Sequence, residues 1–324
     1  MNKEEMRIVF MGTPDFAALH LERLVKERYN VVGVFSQPDK ASGRGSRKRP
    51  TPVKKSAEKH DIPVFQPKSV NLRKGFESLR ALNPDVIVVV AFGKILKKKV
   101  IALPPMGIYN VHASILPKYR GAAPIQRAIE KGETETGVSI MKIVPELDAG
   151  DVARIERIPI GKRDNLETVH DKLVEAGSAA LCAFLKDLSQ DRVTFTSQND
   201  DEATYAGKIE KDELYIDWNR EAGEIHNKIR AFDPIPCART ILNAKTVKLM
   251  DSMGPEDDKI QIESKKKVPG TILKIVDDGA WIKCGSGCLL VGTLQLPSKK
   301  PVTFMDAKNG RKISEGEMFK PCEE

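Results

Sequence analysis

The chain has 324 residues, 40% of them hydrophobic, and a net charge of +8, which is enough for two domains with separate cores and invites an anionic partner. No apolar run approaches the roughly 18 residues that span a bilayer, and the opening MNKEEMRIVFMG carries acidic residues and leads straight into a strand, so a membrane span, signal peptide or transit peptide is not expected. Five scattered cysteines, Cys182, Cys237, Cys284, Cys288 and Cys322, fit a reducing cytoplasm; Cys284 and Cys288 are the only close pair and lack a second ligand pair, so no metal is expected.

Residues 7–11 form a short apolar run that predicts a strand. Gly12-Thr13-Pro14-Asp15 follows, with Thr13 placed to cap a helix whose first residue is Pro14. Phe16, Leu19, Leu21, Leu24 and Val25 continue at roughly helical spacing. Further strands are predicted over residues 31–35, 63–65, 85–91, 108–112 and 137–141. Continuous apolar strands separated by helices argue for a parallel sheet covered on both faces, hence a doubly wound, Rossmann-like α/β domain. The Gly12-Thr13-Pro14 turn lacks the three glycines of a dinucleotide fingerprint, so NAD or FAD is not indicated.

A helix over residues 166–188 closes this domain, giving expected boundaries of 1–188. The polar, irregular stretch 189–208 reads as a linker. Residues 209–324 show a helix near 222–231 and short β-rich runs at 246–250, 270–276, 280–283 and 288–296, which predict a small OB-like barrel.

Asn110 and His112 lie two residues apart at the end of a strand, so their side chains share a face. Sites in open α/β sheets sit at such carboxyl ends. Asp148, in the turn-like PELDAGD, could orient the His112 ring. No nucleophile elbow or zinc signature accompanies them. An amide, an imidazole and a carboxylate fit direct attack of an external amine on an acyl carbon. Asn110 and protonated His112 would bind the oxyanion while Asp148 assists proton removal.

The runs FMGTPDFA, QPDKASGRG, NVHASILPKYRGAAPIQRAI, ETGVSIM with LDAGDV, YAGKIEKDE and IRAFDPIP together resemble the methionyl-tRNA formyltransferase family over nearly the whole chain. That resemblance implies transfer of a formyl group from 10-formyltetrahydrofolate to the amino group of methionine on initiator tRNA, leaving tetrahydrofolate. By match of position it implies Asn110, His112 and Asp148 as catalytic residues and Ser114, Ile115, Leu116 and Pro117 as the folate-binding segment. The resemblance also marks three departures, Asp233, Ile235 and Cys237, where Asn, Trp and Gly are expected.

The segment KASGRGSRKRPTPVKK carries Lys40, Arg44, Arg47, Lys48, Arg49, Lys54 and Lys55 and no acidic residue. In the family this loop enters the acceptor end of tRNA, and Arg44 matches the contacting position. Lys40, Arg47, Lys48 and Arg49 are expected to join it on the phosphates. The C-terminal region adds Lys265-Lys266-Lys267, Lys299-Lys300 and Arg311-Lys312. A sugar-nucleotide or purine-precursor formyltransferase is disfavoured because neither needs the basic loop. A non-catalytic RNA binder has no need of the three polar residues. Nothing suggests an obligate dimer, so a cytoplasmic monomer is expected.

Overall fold

The computed structural model of the chain describes residues 2–41, 48–254 and 266–321. Its contacts divide the chain into one unit of Met1–Gly121, Thr136–Ile158 and His170–Tyr205, and a second of Ala122–Glu135, Pro159–Val169 and Ala206–Glu324.

In chain order the elements begin with β1 (Ile8–Gly12), α1 (Asp15–Lys26), β2 (Val31–Phe35), β3 (Lys40–Ala41), β4 (Lys48–Arg49), α2 (Pro52–Lys59) and β5 (Val64–Phe65). Next are α3 (Arg73–Ala81), β6 (Val86–Val90), α4 (Lys98–Ile101), β7 (Ile108–His112), β8 (Arg120–Gly121), α5 (Pro124–Glu130), β9 (Glu135–Lys142), β10 (Val152–Pro159) and α6 (Leu166–Ser189). The remainder are β11 (Tyr205–Ala206), α7 (Ala222–Phe232), β12 (Ala238–Leu242), β13 (Lys245–Gly254), β14 (Ile272–Val276), β15 (Gly279–Lys283), β16 (Cys288–Gln295), β17 (Val302–Thr303) and a last helix, α8 (Phe304–Asn309).

The first unit is built on a seven-stranded sheet ordered β10-β9-β7-β6-β1-β2-β5. β1 is parallel to β2 and β6, β2 to β5, and β6 to β7, whereas β7 and β9 run antiparallel. The sheet is therefore mixed, a correction to the all-parallel expectation. A continuous apolar run reports burial on both faces, which a strand satisfies in either direction. β10 escaped the sequence reading because Arg154, Glu156 and Arg157 interrupt its apolar positions. That charge suits an outermost strand, which must not invite further pairing.

Thr13 does not cap α1. Pro14 occupies the cap position without a side-chain hydrogen bond, and the helix starts at Asp15. The Thr13 hydroxyl donates to the Phe92 carbonyl (3.2 Å) and accepts from the Gln37 N–H (3.4 Å), joining the chain just past the carboxyl ends of β1, β6 and β2. A true cap stands at α2, where Thr51 Oγ1 accepts from the Lys54 N–H and Pro52 fills the first turn.

His20 of α1 is fully buried; its Nδ1 donates to the Phe16 carbonyl (2.7 Å), while Nε2 has no partner among the described residues. Burial lowers its pKa to about 4. The unfolded chain takes up a proton below about pH 6.5 while the folded ring stays neutral, so stability falls as pH drops through this window. Urea unfolding at pH 4.5 is expected to show a loss of roughly 2 to 3 kcal/mol relative to pH 7 that His20→Leu largely removes. Equal pH dependence in the two proteins would refute this.

The second unit contains an antiparallel sheet ordered β12-β13-β16-β15-β14, with β17 paired to β16. The chain after α8 reaches both ends of this order. Ile241 and Lys320 exchange backbone hydrogen bonds, while Ile272 N donates to Glu317 O and Phe319 N to Gly270 O. Trp218 is fully buried, stacks on Phe319 and donates from Nε1 to Thr240 Oγ1 (2.9 Å). Trp281, Phe304 and Phe319 are all buried as well, which leaves none of these rings to stack on a base.

Of the three departures, Asp233 is buried and accepts from Asp251 N (3.0 Å) and Asn165 Nδ2 (3.4 Å), so its carboxylate has local partners. Burial raises its pKa. Cys237 has φ +67°, the left-handed region in which glycine is unstrained, so the glycine expected there would suit the backbone. Ile235 is 75% exposed.

Candidate active site

The end of β7 sets the site. Its alternation puts Ile108, Asn110 and His112 on one face, and its pairing with β9 sets Asn110 opposite Met141 and His112 opposite Ser139. His112 is buried, and its Nε2 lies 2.9 Å from the Tyr119 carbonyl oxygen. A carbonyl only accepts, so Nε2 carries the proton. The other ring nitrogen, Nδ1, faces Asp148 Oδ2 at 3.7 Å, too long for a hydrogen bond but close enough for an ion pair.

Asp148 has φ +48°, and its Oδ2 accepts from the Gly121 N–H at 2.9 Å. Asp148 and His112, distant in sequence, are thus brought together. Asn110 is half-buried, and no hydrogen bond to its side chain is made by the described residues, which leaves the amide available to an incoming polar atom. The arrangement can orient an imidazole, receive a proton between Nδ1 and a carboxylate, and offer an amide N–H beside it.

The 114–117 segment divides by side chain. Ser114 is fully buried and its Oγ donates to the Lys118 carbonyl (2.6 Å). Leu116 packs against Met141 and Val152. Ser139 Oγ donates to Ser114 O (2.7 Å) and accepts from Leu116 N (3.1 Å), so it pins the loop to β9. Ile115 and Pro117 are the partly exposed members. Because β6 and β7 are parallel, the loop after β6 leaves from the same sheet edge, and its Ile95 is 80% exposed.

Sequence reasoning missed Ser139, Gln198, Arg120 and Thr204. Gln198 Nε2 donates to Asp148 O (2.9 Å) and Gly150 O (2.7 Å), and its Oε1 accepts two hydrogen bonds from Arg120. Thr204 binds the backbone N–H of Tyr119 and of Arg120. Gln198 and Thr204 lie in the stretch read as a linker, where polar composition is the same for a tether and a brace.

In the basic segment, β3 and β4 pair antiparallel with Lys40 opposite Arg49, and both side chains are exposed. Arg44 and Arg47 lie outside the described residues, as does the side chain of Lys48. Lys54 is not a free cation. It donates to Asp39 (2.8 Å) and Gln66 (3.1 Å), and the hydrogen bonds from Gln66 and Lys54 hold the Asp39 carboxyl below its ordinary range. A reading confined to residues 40–55 could not see Asp39, one residue outside it. Among the described residues, no group of three or more His, Cys, Asp or Glu could hold a metal ion, and no helix is long and apolar enough to cross a membrane.

Comparison with known proteins places this geometry in a lineage. Residues 6–185 match the formyl transferase family, and residues 208–312 match the formyl transferase C-terminal domain. The chain is 50% identical to the methionyl-tRNA formyltransferase of Kosmotoga olearia, over 96% of this chain and 98% of that protein. It is 46% identical to that of Thermotoga maritima, over 97% and 98% respectively. Among solved structures, HypX from Aquifex aeolicus in complex with tetrahydrofolic acid shares the fold, with TM-score 0.64 and 18% identity; the match covers 94% of this chain but only 46% of that one. With two family domains in order and end-to-end relatives at this identity, the chain belongs to the methionyl-tRNA formyltransferase family of formyl-transferring enzymes.

Proposed function

We propose that the chain transfers the formyl group of 10-formyltetrahydrofolate to the free amino group of methionine on initiator methionyl-tRNA, for translation initiation in the cytoplasm, and acts as a monomer. The observation that carries this reading is the His112 ring fixed between the Tyr119 carbonyl and Asp148, beside an Asn110 amide with no described protein partner. The amine attacks the formyl carbon directly. Collapse of the tetrahedral intermediate breaks the formyl C–N10 bond, and the proton lost by the amine is delivered to N10 as tetrahydrofolate leaves. Asn110 and protonated His112, through the Nδ1–H not used on the Tyr119 carbonyl, stabilise the oxyanion of the tetrahedral intermediate, and Asp148 orients His112 and helps remove the amine proton. No group on the enzyme needs to carry the formyl.

The folate is placed along the carboxyl edge of β6 and β7. There the backbone of Ser114–Pro117 offers polar groups, while exposed Ile95 with partly exposed Ile115 and Pro117 forms an apolar wall. Tetrahydrofolate leaves from the same cleft. Metal is not required in this scheme.

We assign residues 1–188 to the catalytic domain, 189–208 to a linker and 209–324 to a tRNA-binding domain of OB-like form. Support for the OB-like reading comes from residues 316–320, which hydrogen-bond to β12 and to the chain around the start of β14, the two ends of the sheet order. For tRNA we assign Lys40, Arg44, Arg47, Lys48 and Arg49 to the phosphates of the acceptor end. That predicts binding that weakens steeply with salt.

The test is a formylation assay with 10-formyltetrahydrofolate and three acceptors: methionyl-tRNA, a purine-precursor amine and a sugar-nucleotide amine. Turnover of methionyl-tRNA alone is expected, and preference for either small amine would overturn the reading. In the same assay, Arg44→Ala should raise KM for tRNA about tenfold, the value of roughly 1.4 kcal/mol, and leave KM for folate unchanged. Unchanged activity at every tRNA concentration would remove Arg44 from the interface.

A further inference from the structure

We infer that Gln198, locked by Arg120, is a positioning residue that fixes the Asp148 carboxylate against His112; the inference rests on the catalytic reading of Asp148 given above. Asp148 sits in a left-handed backbone conformation (φ +48°), which Asp adopts more readily than most residues but still at some cost, so contacts that hold the turn stabilise it. Gln198 Nε2 does so from outside the loop, donating to the carbonyls of Asp148 and Gly150 and tying both sides of the turn to one amide group.

An amide can rotate, and here its orientation is fixed. Arg120 Nε (3.1 Å) and Nη2 (2.9 Å) both donate to Gln198 Oε1, which forces the NH₂ toward the Asp148 loop. Arg120 is 3% exposed, and Nη2 also reaches Asp200 at 2.8 Å, so burial and a second acceptor restrain this cation against the amide.

The backbone on either side of Arg120 completes the device. Tyr119 supplies the carbonyl that binds His112 Nε2, and Gly121 supplies the N–H that binds Asp148 Oδ2. One three-residue stretch therefore touches two of the three proposed catalytic groups, His112 and Asp148, while its central side chain holds Gln198. A shift of this unit would move the imidazole and the carboxylate relative to each other, which costs rate without costing substrate affinity.

The experiment is a double-mutant cycle in the full-length enzyme with Gln198→Ala, Asp148→Asn and both together, measuring kcat, both KM values, the pH–rate profile and Tm. Gln198→Ala is expected to lower kcat 10- to 100-fold, to displace the limb of the pH profile and to leave both KM values within threefold. In the Asp148→Asn background it should have little further effect on kcat. Gln198→Glu keeps the acceptor for Arg120 but loses both N–H donors, so it should not restore activity. If Asp148→Asn leaves kcat unchanged, the catalytic reading of Asp148 fails. If Asp148→Asn lowers kcat but the two substitutions multiply, or Gln198→Ala alone leaves kcat and pH profile intact, the positioning role fails. Cooperative unfolding with unchanged Tm excludes simple misfolding as the origin of the loss, and a kcat loss that tracks the unfolded fraction overturns the proposal.

Discussion

His112→Ala is expected to reduce kcat for formyl transfer about 10²- to 10⁴-fold, the span associated with loss of a positioned proton-transfer group. The ring is buried and meets the protein through the Tyr119 carbonyl and Asp148, so truncation removes a group that bridges them. The loss should fall on kcat and kcat/KM alike, because the interaction belongs to the transition state rather than to substrate binding. Equilibrium binding of methionyl-tRNA should stay within a few-fold of the unsubstituted enzyme. Single-turnover formylation with saturating folate separates chemistry from product release. A variant that turns over normally while losing tRNA affinity would contradict the assigned role.

Asn110→Ala is expected to cost about 10²- to 10³-fold in kcat, near 3 to 4 kcal/mol, the usual value of one oxyanion donor. The amide makes no hydrogen bond with the described residues, so its removal breaks no protein network and the fold should be unaffected. Asn110→Asp is the sharper comparison. It preserves size but sets an acceptor, charged at neutral pH, where negative charge develops, so its loss should exceed that of Asn110→Ala. Both proteins should melt within a few degrees of the parent. An aspartate variant more active than the alanine variant would exclude Asn110 as an oxyanion donor.

Several features were legible before any tertiary contact was known. The two-residue spacing of Asn110 and His112 fixes a shared strand face through the geometry of the extended backbone alone. The apolar runs of β1 and β6 announced buried central strands, and each is buried throughout in the sheet. The basic character of residues 40–55 was plain, although its effective charge was not. Lys54 is neutralised by Asp39, a partner outside the segment.

Thr13 and Gln198 mark where that legibility ended. The hydroxyl of Thr13 could satisfy a helix terminus or two neighbouring loops, and only the placement of Phe92 and Gln37 decided for the loops. Gln198 lay in a polar, irregular stretch whose composition describes solubility and not what its amide reaches.

The sequence by itself determined the periodicities, the strand that bears Asn110 and His112, and the family, since each is a property of residue order along the chain. Only the tertiary structure decided the antiparallel direction of β9, the 3.7 Å approach of Asp148 to His112, and the brace that Gln198 and Arg120 build behind it. Those depend on where loops return in space. Residues 36, 50 and 78 positions apart meet here because the packed sheet brings their loops to one edge, and no local spacing encodes that return.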